Sequence, residues 1–134
     1  MIYLDASAIM RLIEGETAVK ASVQKRVGSE RPCTSIVRIT ECLTKPLRDN
    51  NESVIASYEE FFSSQDLTLV EVTRSLAEVA ASVRANFRLK TPDALHFATA
   101  IALRCSRFAS SDRHFISADG YQNIVIDLLP ASSK

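Results

Sequence analysis

One segment of the chain, Thr91-Pro92-Asp93-Ala94-Leu95-His96-Phe97-Ala98-Thr99-Ala100, predicts a helix at the centre of the molecule. Thr91 is placed to cap the helix, Pro92 suits its first turn, and Asp93 favours the positive end of the helix dipole. The residues that follow, to about Arg104, are almost wholly apolar, and a helix that is apolar on all sides is buried. We therefore expect an interior helix with a carboxylate at its start.

Short apolar runs on both sides of this segment predict strands that alternate with helices. The predicted strands are residues 2–4, 33–35, 67–70, 107–110 and 124–126. The predicted helices are residues 8–13, 17–27, 36–46, 52–64, 73–87 and 91–104, with Ser7 and Ser35 as caps of the first and third, and Pro46 expected to kink or end the third. This alternation predicts an α/β three-layer sandwich with a central, mostly parallel five-stranded sheet flanked by helices, in one domain of residues 1–134.

The composition is that of an ordinary globular protein without an obvious polyanion-binding character. The 134 residues include 16 Lys plus Arg and 16 Asp plus Glu, so the formal net charge is zero and any contact with a polyanion requires a local basic patch. Cys33, Cys42 and Cys105 are odd in number and lack the CxxC spacing, which argues against a disulfide framework and a thiolate metal site. No signal peptide or membrane-spanning run is evident, and we expect a cytoplasmic protein with no membrane contact.

Four acidic residues stand at the ends of predicted elements or within apolar helices: Asp5, Glu41, Asp93 and Asp112. Carboxylates near an apolar core are costly unless a cation compensates them, and no dedicated basic partner is evident for each. Asp5 and Asp112 directly follow predicted strands, and the carboxyl ends of parallel strands meet at one edge of a sheet, where ligands bind. Oxygen ligands without His or Cys suit Mg²⁺ or Mn²⁺ better than zinc. A divalent metal site is therefore predicted.

Each of these residues also has a purely structural interpretation. Asp5 could start a turn, Glu41 could be a solvated helix residue, Asp93 suits a helix N-terminus, and Asp112 could cap a short turn. Two histidines stand nearby in the sequence, and neither is assigned a ligand role. His96 is expected to be a buried packing residue of the central helix, and His114 is expected to be exposed.

These residues together resemble the PIN-domain nucleases and, within them, the VapC-type toxins of toxin–antitoxin pairs. The resemblance covers essentially the whole chain and lies in residues 3–8, 39–41, 91–100 and 110–115. It implies a Mg²⁺- or Mn²⁺-dependent endoribonuclease that forms a homodimer and is silenced by an antitoxin protein. The implied catalytic and metal-binding residues are Asp5, Glu41, Asp93 and Asp112, with Ser7 and Ser110 as polar supports of those ligands.

An RNA substrate also needs cations near such a site, since phosphate contacts supply most of the affinity and weaken with salt. The candidates are the basic residues closest in sequence to the four acids: Arg38, Lys45, Arg88, Lys90 and Arg113. Each of them could equally be an ordinary solvated surface charge. No aromatic stacking platform is evident, so the sequence does not predict how bases are read.

The leading hypothesis is thus a toxin that cleaves structured RNA, such as tRNA or rRNA, by metal-activated water. One alternative is a non-catalytic interaction module that keeps the same fold. Another is an aspartyl-phosphate phosphatase with Asp5 as the nucleophile. That chemistry usually needs a second Asp two residues later, where this chain has Ser7, so the phosphatase ranks lowest.

Overall fold

A five-stranded sheet in which every pairing is parallel forms the centre of the computed structural model, which describes residues 1–131. The strands are Ile2–Leu4 (β1), Pro32–Ser35 (β2), Thr68–Val70 (β3), Arg107–Ser110 (β4) and Val125–Leu128 (β5), in the spatial order β3-β2-β1-β4-β5. The helices are Ala6–Glu14 (α1), Thr17–Val27 (α2), Val37–Arg48 (α3), Glu52–Phe62 (α4), Arg74–Phe87 (α5) and Thr91–Ala102 (α6), and short 3₁₀ helices span Arg113–Ala118 and Tyr121–Asn123. The predicted three-layer α/β fold is confirmed; residues 132–134 of the predicted domain lie outside the described residues.

Two apolar cores separate the layers, one on each face of the sheet. Ile2 and Leu4 of β1 pack with α1 to α4 on one face, whereas Tyr3 packs with α5 and α6 on the other. This division follows from the strand period, because successive side chains point to opposite faces. All three residues of β1 are fully buried, as expected for a central strand covered on both faces.

The α6 helix lies in the interior, as the sequence predicted. Its residues Ala94 and His96 to Ala100 are buried, and it packs chiefly on α5 and the sheet. The predicted cap is wrong, because the helix begins at Thr91 itself and the Thr91 hydroxyl instead accepts a hydrogen bond from Arg84 Nη1 at 3.1 Å. The apolar pattern located the helix correctly because burial depends on the whole face, whereas a cap depends on one local contact.

Two other predictions of helix ends are also corrected. α1 begins at Ala6 with Asp5 before it, so Ser7 lies inside the first turn and does not cap the helix. Pro46 does not end α3, which continues to Arg48, and the predicted kink at Pro46 stays a prediction. A proline near the end of a helix removes few backbone hydrogen bonds, so two further residues can remain helical. No helix within residues 1–131 is long and apolar enough to cross a lipid bilayer.

The strand order creates a crevice between β1 and β4. From β1 the chain adds β2 and then β3 on one side of the sheet. It then crosses to the other side of β1 and adds β4 and β5, so the direction of winding reverses beside β1. Open parallel sheets bind their ligands at such a reversal, beyond the carboxyl ends of the strands. Asp5 follows β1 and its backbone N–H donates to the Ala109 carbonyl of β4 at 3.0 Å, so it lies directly at this reversal.

A candidate acidic site at the carboxyl edge of the sheet

Asp5, Asp93 and Asp112 come from distant parts of the chain and are near enough to influence one another electrically. Asp5 follows β1, Asp112 follows β4, and Asp93 lies in the first turn of α6. The pKa of Asp93 is held above its ordinary value, first by partial burial and then by the negative charges of Asp112 and Asp5. The charges of His96 and Arg38 offset this rise only in part, and within residues 1–131 Asp93 makes no ion pair.

Arg38 supplies the cation that the sequence analysis did not identify for Asp5 and Glu41. Its Nη2 atom contacts Asp5 Oδ1, and its Nη1 atom donates to Glu41 Oε1 at 2.8 Å. Both Arg38 and Asp5 are buried, with 3% and 7% of their surface exposed. The expectation that these acids lack a basic partner is therefore wrong.

Burial also corrects the expected availability of Arg38 to RNA. A guanidinium that is enclosed and paired with two carboxylates presents no surface to a phosphate group in this arrangement. Lys45, Arg88, Lys90 and Arg113 are exposed, and their contact with RNA stays a prediction. Sequence proximity to Glu41 could not distinguish Arg38 from Lys45, because the two residues lie one turn away on opposite sides of it.

Glu41 is also held by a chain of buried polar groups that runs back to β1. His96 Nε2 lies 2.9 Å from Glu41 Oε1, and His96 Nδ1 lies 2.6 Å from the Tyr3 hydroxyl. The Ser35 backbone N–H donates to that hydroxyl at 3.1 Å, so the hydroxyl proton is free to point at Nδ1. Nε2 then carries a hydrogen and donates it to Glu41. The prediction that His96 is buried is confirmed, but its contact with Glu41 was missed.

These contacts favour the ionised form of Glu41. Partial burial by itself would raise the pKa of Glu41, but the His96 hydrogen bond and the Arg38 charge outweigh it and lower the pKa below its ordinary value. Burial raises the pKa of Tyr3, which keeps its hydroxyl protonated and able to donate to His96. Glu41 is therefore a fixed negative charge whose direction is set by two side chains.

Replacement of Tyr3 by phenylalanine tests this chain of hydrogen bonds. Tyr3→Phe preserves the ring that stacks on Phe108 at 4.9 Å but leaves the Ser35 N–H and His96 Nδ1 without a partner in the interior. We expect the free energy of unfolding to fall by about 1–3 kcal/mol, measured by urea denaturation. Tyr121→Phe is the matched control, since that ring packs on Phe87 at a partly exposed position. Equal stability of the two variants would contradict the role given to the Tyr3 hydroxyl.

Two serines hold the loop that follows β4 against the start of α1. Ser110 Oγ donates to Asp5 Oδ2 at 2.5 Å and accepts from the Asp112 backbone N–H at 3.0 Å. Ser7 Oγ accepts from the Ser111 backbone N–H at 2.9 Å. Ser110 thus touches a predicted ligand directly, whereas Ser7 acts on the loop rather than on a carboxylate. Whether either supports a metal ligand stays a prediction.

The side chain of Asp112 is more exposed than those of Asp5 and Glu41. Its Oδ1 atom accepts from the His114 backbone N–H at 2.9 Å and lies 2.7 Å from His114 Nδ1. This confirms that Asp112 caps the 3₁₀ helix that begins at Arg113 and that His114 is exposed. The capping contact uses Oδ1, so the structural interpretation of Asp112 and its predicted ligand role are compatible.

The donor set suits a hard divalent cation by its chemistry. Asp5, Glu41, Asp93 and Asp112 offer carboxylate oxygens, and the partly compensated negative charge around Asp93 would be relieved by a cation. The side chains are not gathered for ligation, however, since among residues 1–131 no three His, Cys, Asp or Glu residues form a group that could hold a metal ion. Arg38 occupies the space between Asp5 and Glu41 that a shared ion would need.

The basic loop before α6 is ordered by a residue that the sequence analysis did not single out. Arg84 of α5 donates from Nε to the Leu89 carbonyl at 2.9 Å and from Nη1 to the Thr91 hydroxyl at 3.1 Å. Leu89 is buried, while Arg88 and Lys90 on either side of it are exposed. These contacts order the loop that carries two exposed cations immediately before Asp93.

Two clefts of the described chain lie away from the acidic site. One of about 690 Å³ is bounded by α1, α2 and α4 around Leu12 and Phe61, and another of about 540 Å³ lies between α1, α2 and the segment after β5. Neither is lined by the four acids.

Comparison with known proteins agrees with this architecture. The family model of the PIN domain matches residues 2–121. The chain resembles a solved structure of Mycobacterium tuberculosis VapC20, a sarcin-ricin loop cleaving toxin, with a TM-score of 0.75, 18% identity, and coverage of 97% of this chain and 100% of that chain. It also resembles a chain of a toxin–antitoxin complex from Klebsiella pneumoniae, with a TM-score of 0.71, 17% identity, and coverage of 93% and 96%. At these identities the likeness concerns the fold. No curated protein matches significantly by sequence.

Proposed function

The chain belongs to the PIN domain family, and on this premise we propose that it is a metal-dependent endoribonuclease that acts as the toxin of a toxin–antitoxin pair. The observation that carries the proposal is the charge imbalance around Asp93. Its carboxylate lies at the carboxyl edge of the sheet, and the negative charges of Asp112 and Asp5 raise its pKa. It has no ion-pair partner within the described chain. A protein keeps such a destabilising group where function requires it, which makes it a candidate for the reaction site.

Asp5, Asp93, Asp112 and Glu41 are the residues that would hold Mg²⁺ or Mn²⁺. When bound, such an ion lowers the pKa of a coordinated water and neutralises charge on the phosphate. The residues themselves contribute in different ways. Within residues 1–131, neither Asp93 nor Asp112 forms an ion pair with a buried cation, whereas Glu41 is held ionised and in one direction by Arg38 and His96.

A structured RNA is the proposed substrate. Arg88, Lys90 and Arg113 are exposed next to Asp93 and Asp112 and would contact phosphates on both sides of the site. Because phosphate contacts weaken as salt rises, cleavage should become less efficient at high salt. The likeness to a toxin that cleaves the sarcin-ricin loop makes a folded RNA loop in ribosomal or transfer RNA a suitable class of target.

The same proposal includes partners and location. An antitoxin protein would silence the enzyme, in keeping with the likeness to a chain of a toxin–antitoxin complex. We further propose that the protein is a homodimer and that it is located in the cytoplasm, where folded RNAs of this kind occur. The aspartyl-phosphate phosphatase has no support from the family assignment, and the residue two positions after Asp5 is Ser7, whose hydroxyl is engaged with the backbone of Ser111.

A non-catalytic PIN-fold module is the second candidate, because no three of the described ligand-type residues are grouped for a metal ion. The two candidates differ in what happens to RNA. We expect purified protein with Mn²⁺ to cut total RNA at a small number of positions, detected by sequencing the new 5′ ends, and to cut nothing in EDTA. RNA that stays intact with Mn²⁺, at protein concentrations that bind it, would favour the non-catalytic module.

A further inference from the structure

Arg38 is a buried guanidinium placed among carboxylates that the proposed function assigns to a metal ion. Only 3% of its surface is exposed. Its Nη atoms reach Asp5 and Glu41, while its Nε atom has no hydrogen-bond partner within the described chain. Buried donors are nearly always satisfied, so the side chain is held here by its two carboxylates at the cost of one unmet hydrogen bond.

Arg38 divides the acidic site into two unequal halves. Asp5 and Glu41 are matched by the guanidinium, which also lies 5.9 Å from the centre of the Tyr3 ring. Among the described residues, Asp93 makes no ion pair and Asp112 is paired only with the exposed His114. The half that includes Asp5 therefore already contains a fixed positive charge, whereas the half that includes Asp93 does not.

A divalent ion bound by Asp5 or Glu41 would lie close to this guanidinium. Two cations repel strongly at such short range when burial removes the water that would screen them. The planar guanidinium reaches two carboxylates at once, which a lysine ammonium cannot do with the same geometry. Arg38 is thus suited to keep the two acids in place when no ion is present.

We propose that Arg38 is a resident counter-cation of the acidic site: it positions Asp5 and Glu41 in the metal-free protein and weakens the binding of the divalent ion that these carboxylates accept. This inference rests on the proposed function, since it concerns the same carboxylates. It makes Arg38 a positioning residue whose removal has opposite effects on the stability of the metal-free protein and on its affinity for metal.

Arg38→Met tests both effects, because methionine fills similar space without a charge. Isothermal titration with Mn²⁺ should show at least about tenfold tighter binding than the wild type, since one repelling charge is removed. In EDTA the variant should melt at a lower temperature than the wild type. Arg48→Met is the matched control, since Arg48 is exposed at the end of the same helix, α3, and its loss should leave Mn²⁺ affinity unchanged.

Equal or weaker Mn²⁺ binding by Arg38→Met would overturn the inference while leaving the proposed function intact. If the wild type itself binds no Mn²⁺, both the inference and the metal dependence of the proposed function fail. If Arg38→Met is unfolded in EDTA, circular dichroism is measured before and after Mn²⁺ is added. Mn²⁺ should then restore the helical signal, and a failure to restore it overturns the inference.

Discussion

Asp93→Asn should abolish most RNA cleavage while making the metal-free protein more stable. Asparagine keeps the size of the side chain and the start of α6 but removes the charge that would meet a cation. Loss of one preorganised electrostatic contact of this kind lowers the rate by roughly two to three orders of magnitude. The measurement is the rate of cleavage of one mapped RNA site in Mn²⁺. The control is Asp66→Asn, because Asp66 is exposed, precedes β3 and is far from the four acids in sequence.

The stability gain follows from the sign of the pKa shift. Burial and the charges of Asp112 and Asp5 raise the pKa of Asp93 in the folded state, so the folded protein binds a proton more readily than the unfolded chain. Ionised Asp93 therefore destabilises the fold above its folded pKa, and this penalty disappears as the pH falls below the unfolded value. In EDTA at neutral pH, Asp93→Asn should melt above the wild type, with the difference shrinking in acid.

With Mn²⁺ present, the wild type should melt at a higher temperature than Asp93→Asn, because only the wild type has the full set of charges for the ion. A variant that retains normal cleavage would remove Asp93 from the reaction. A variant that melts below the wild type in EDTA would show that Asp93 supports the start of α6 more than its neighbours oppose it.

Asp5→Ala should cause the largest loss of stability among single changes at the site. Asp5 is 7% exposed, and its loss would leave the Arg38 guanidinium buried with only Glu41 and would free the Ser110 hydroxyl. Removing one partner of a buried ion pair costs about 3–5 kcal/mol, because the remaining charge is not compensated. Urea denaturation in EDTA measures this, and Asp112→Ala, at a more exposed position, should cost less than about 1 kcal/mol.

The double variant Asp5→Ala with Arg38→Met distinguishes the cost of the unpaired Arg38 charge from the cost of the other contacts of Asp5. If the loss of stability arises from the unpaired guanidinium, the second change should recover part of it. A double variant whose losses simply add would place the cost of Asp5→Ala in the Ser110 contact or in packing.

This difference between the two aspartates affects how inactive variants are interpreted. Loss of toxicity in Asp5→Ala could result from a protein that no longer folds, whereas the same loss in Asp93→Asn would report on chemistry alone. Asp93→Asn is therefore the better inactive control for RNA end mapping in cells.

The sequence alone predicted the order of strands and helices and the interior position of α6. It also predicted that Asp5 follows β1 and that Asp112 follows β4. Each of these features depends on local patterns: apolar runs of strand or helix length, and polar residues directly after them. Parallel pairing then requires that the carboxyl ends lie at one edge. Helix caps were less predictable, as Ser7 and Thr91 illustrate, because a hydroxyl near a helix start has several possible partners.

Only the tertiary structure decided which side chains meet. Arg38 reaches Asp5 across 33 positions of sequence, and His96 reaches Glu41 across 55. No periodicity shows that Arg38 turns inward while Lys45 on the same helix stays in solvent, since both are long cations one turn from Glu41. The sequence by itself therefore determined where negative charge collects, through the strand ends. Folding determined which of those charges the protein neutralises itself, because that depends on distances between elements far apart in the chain.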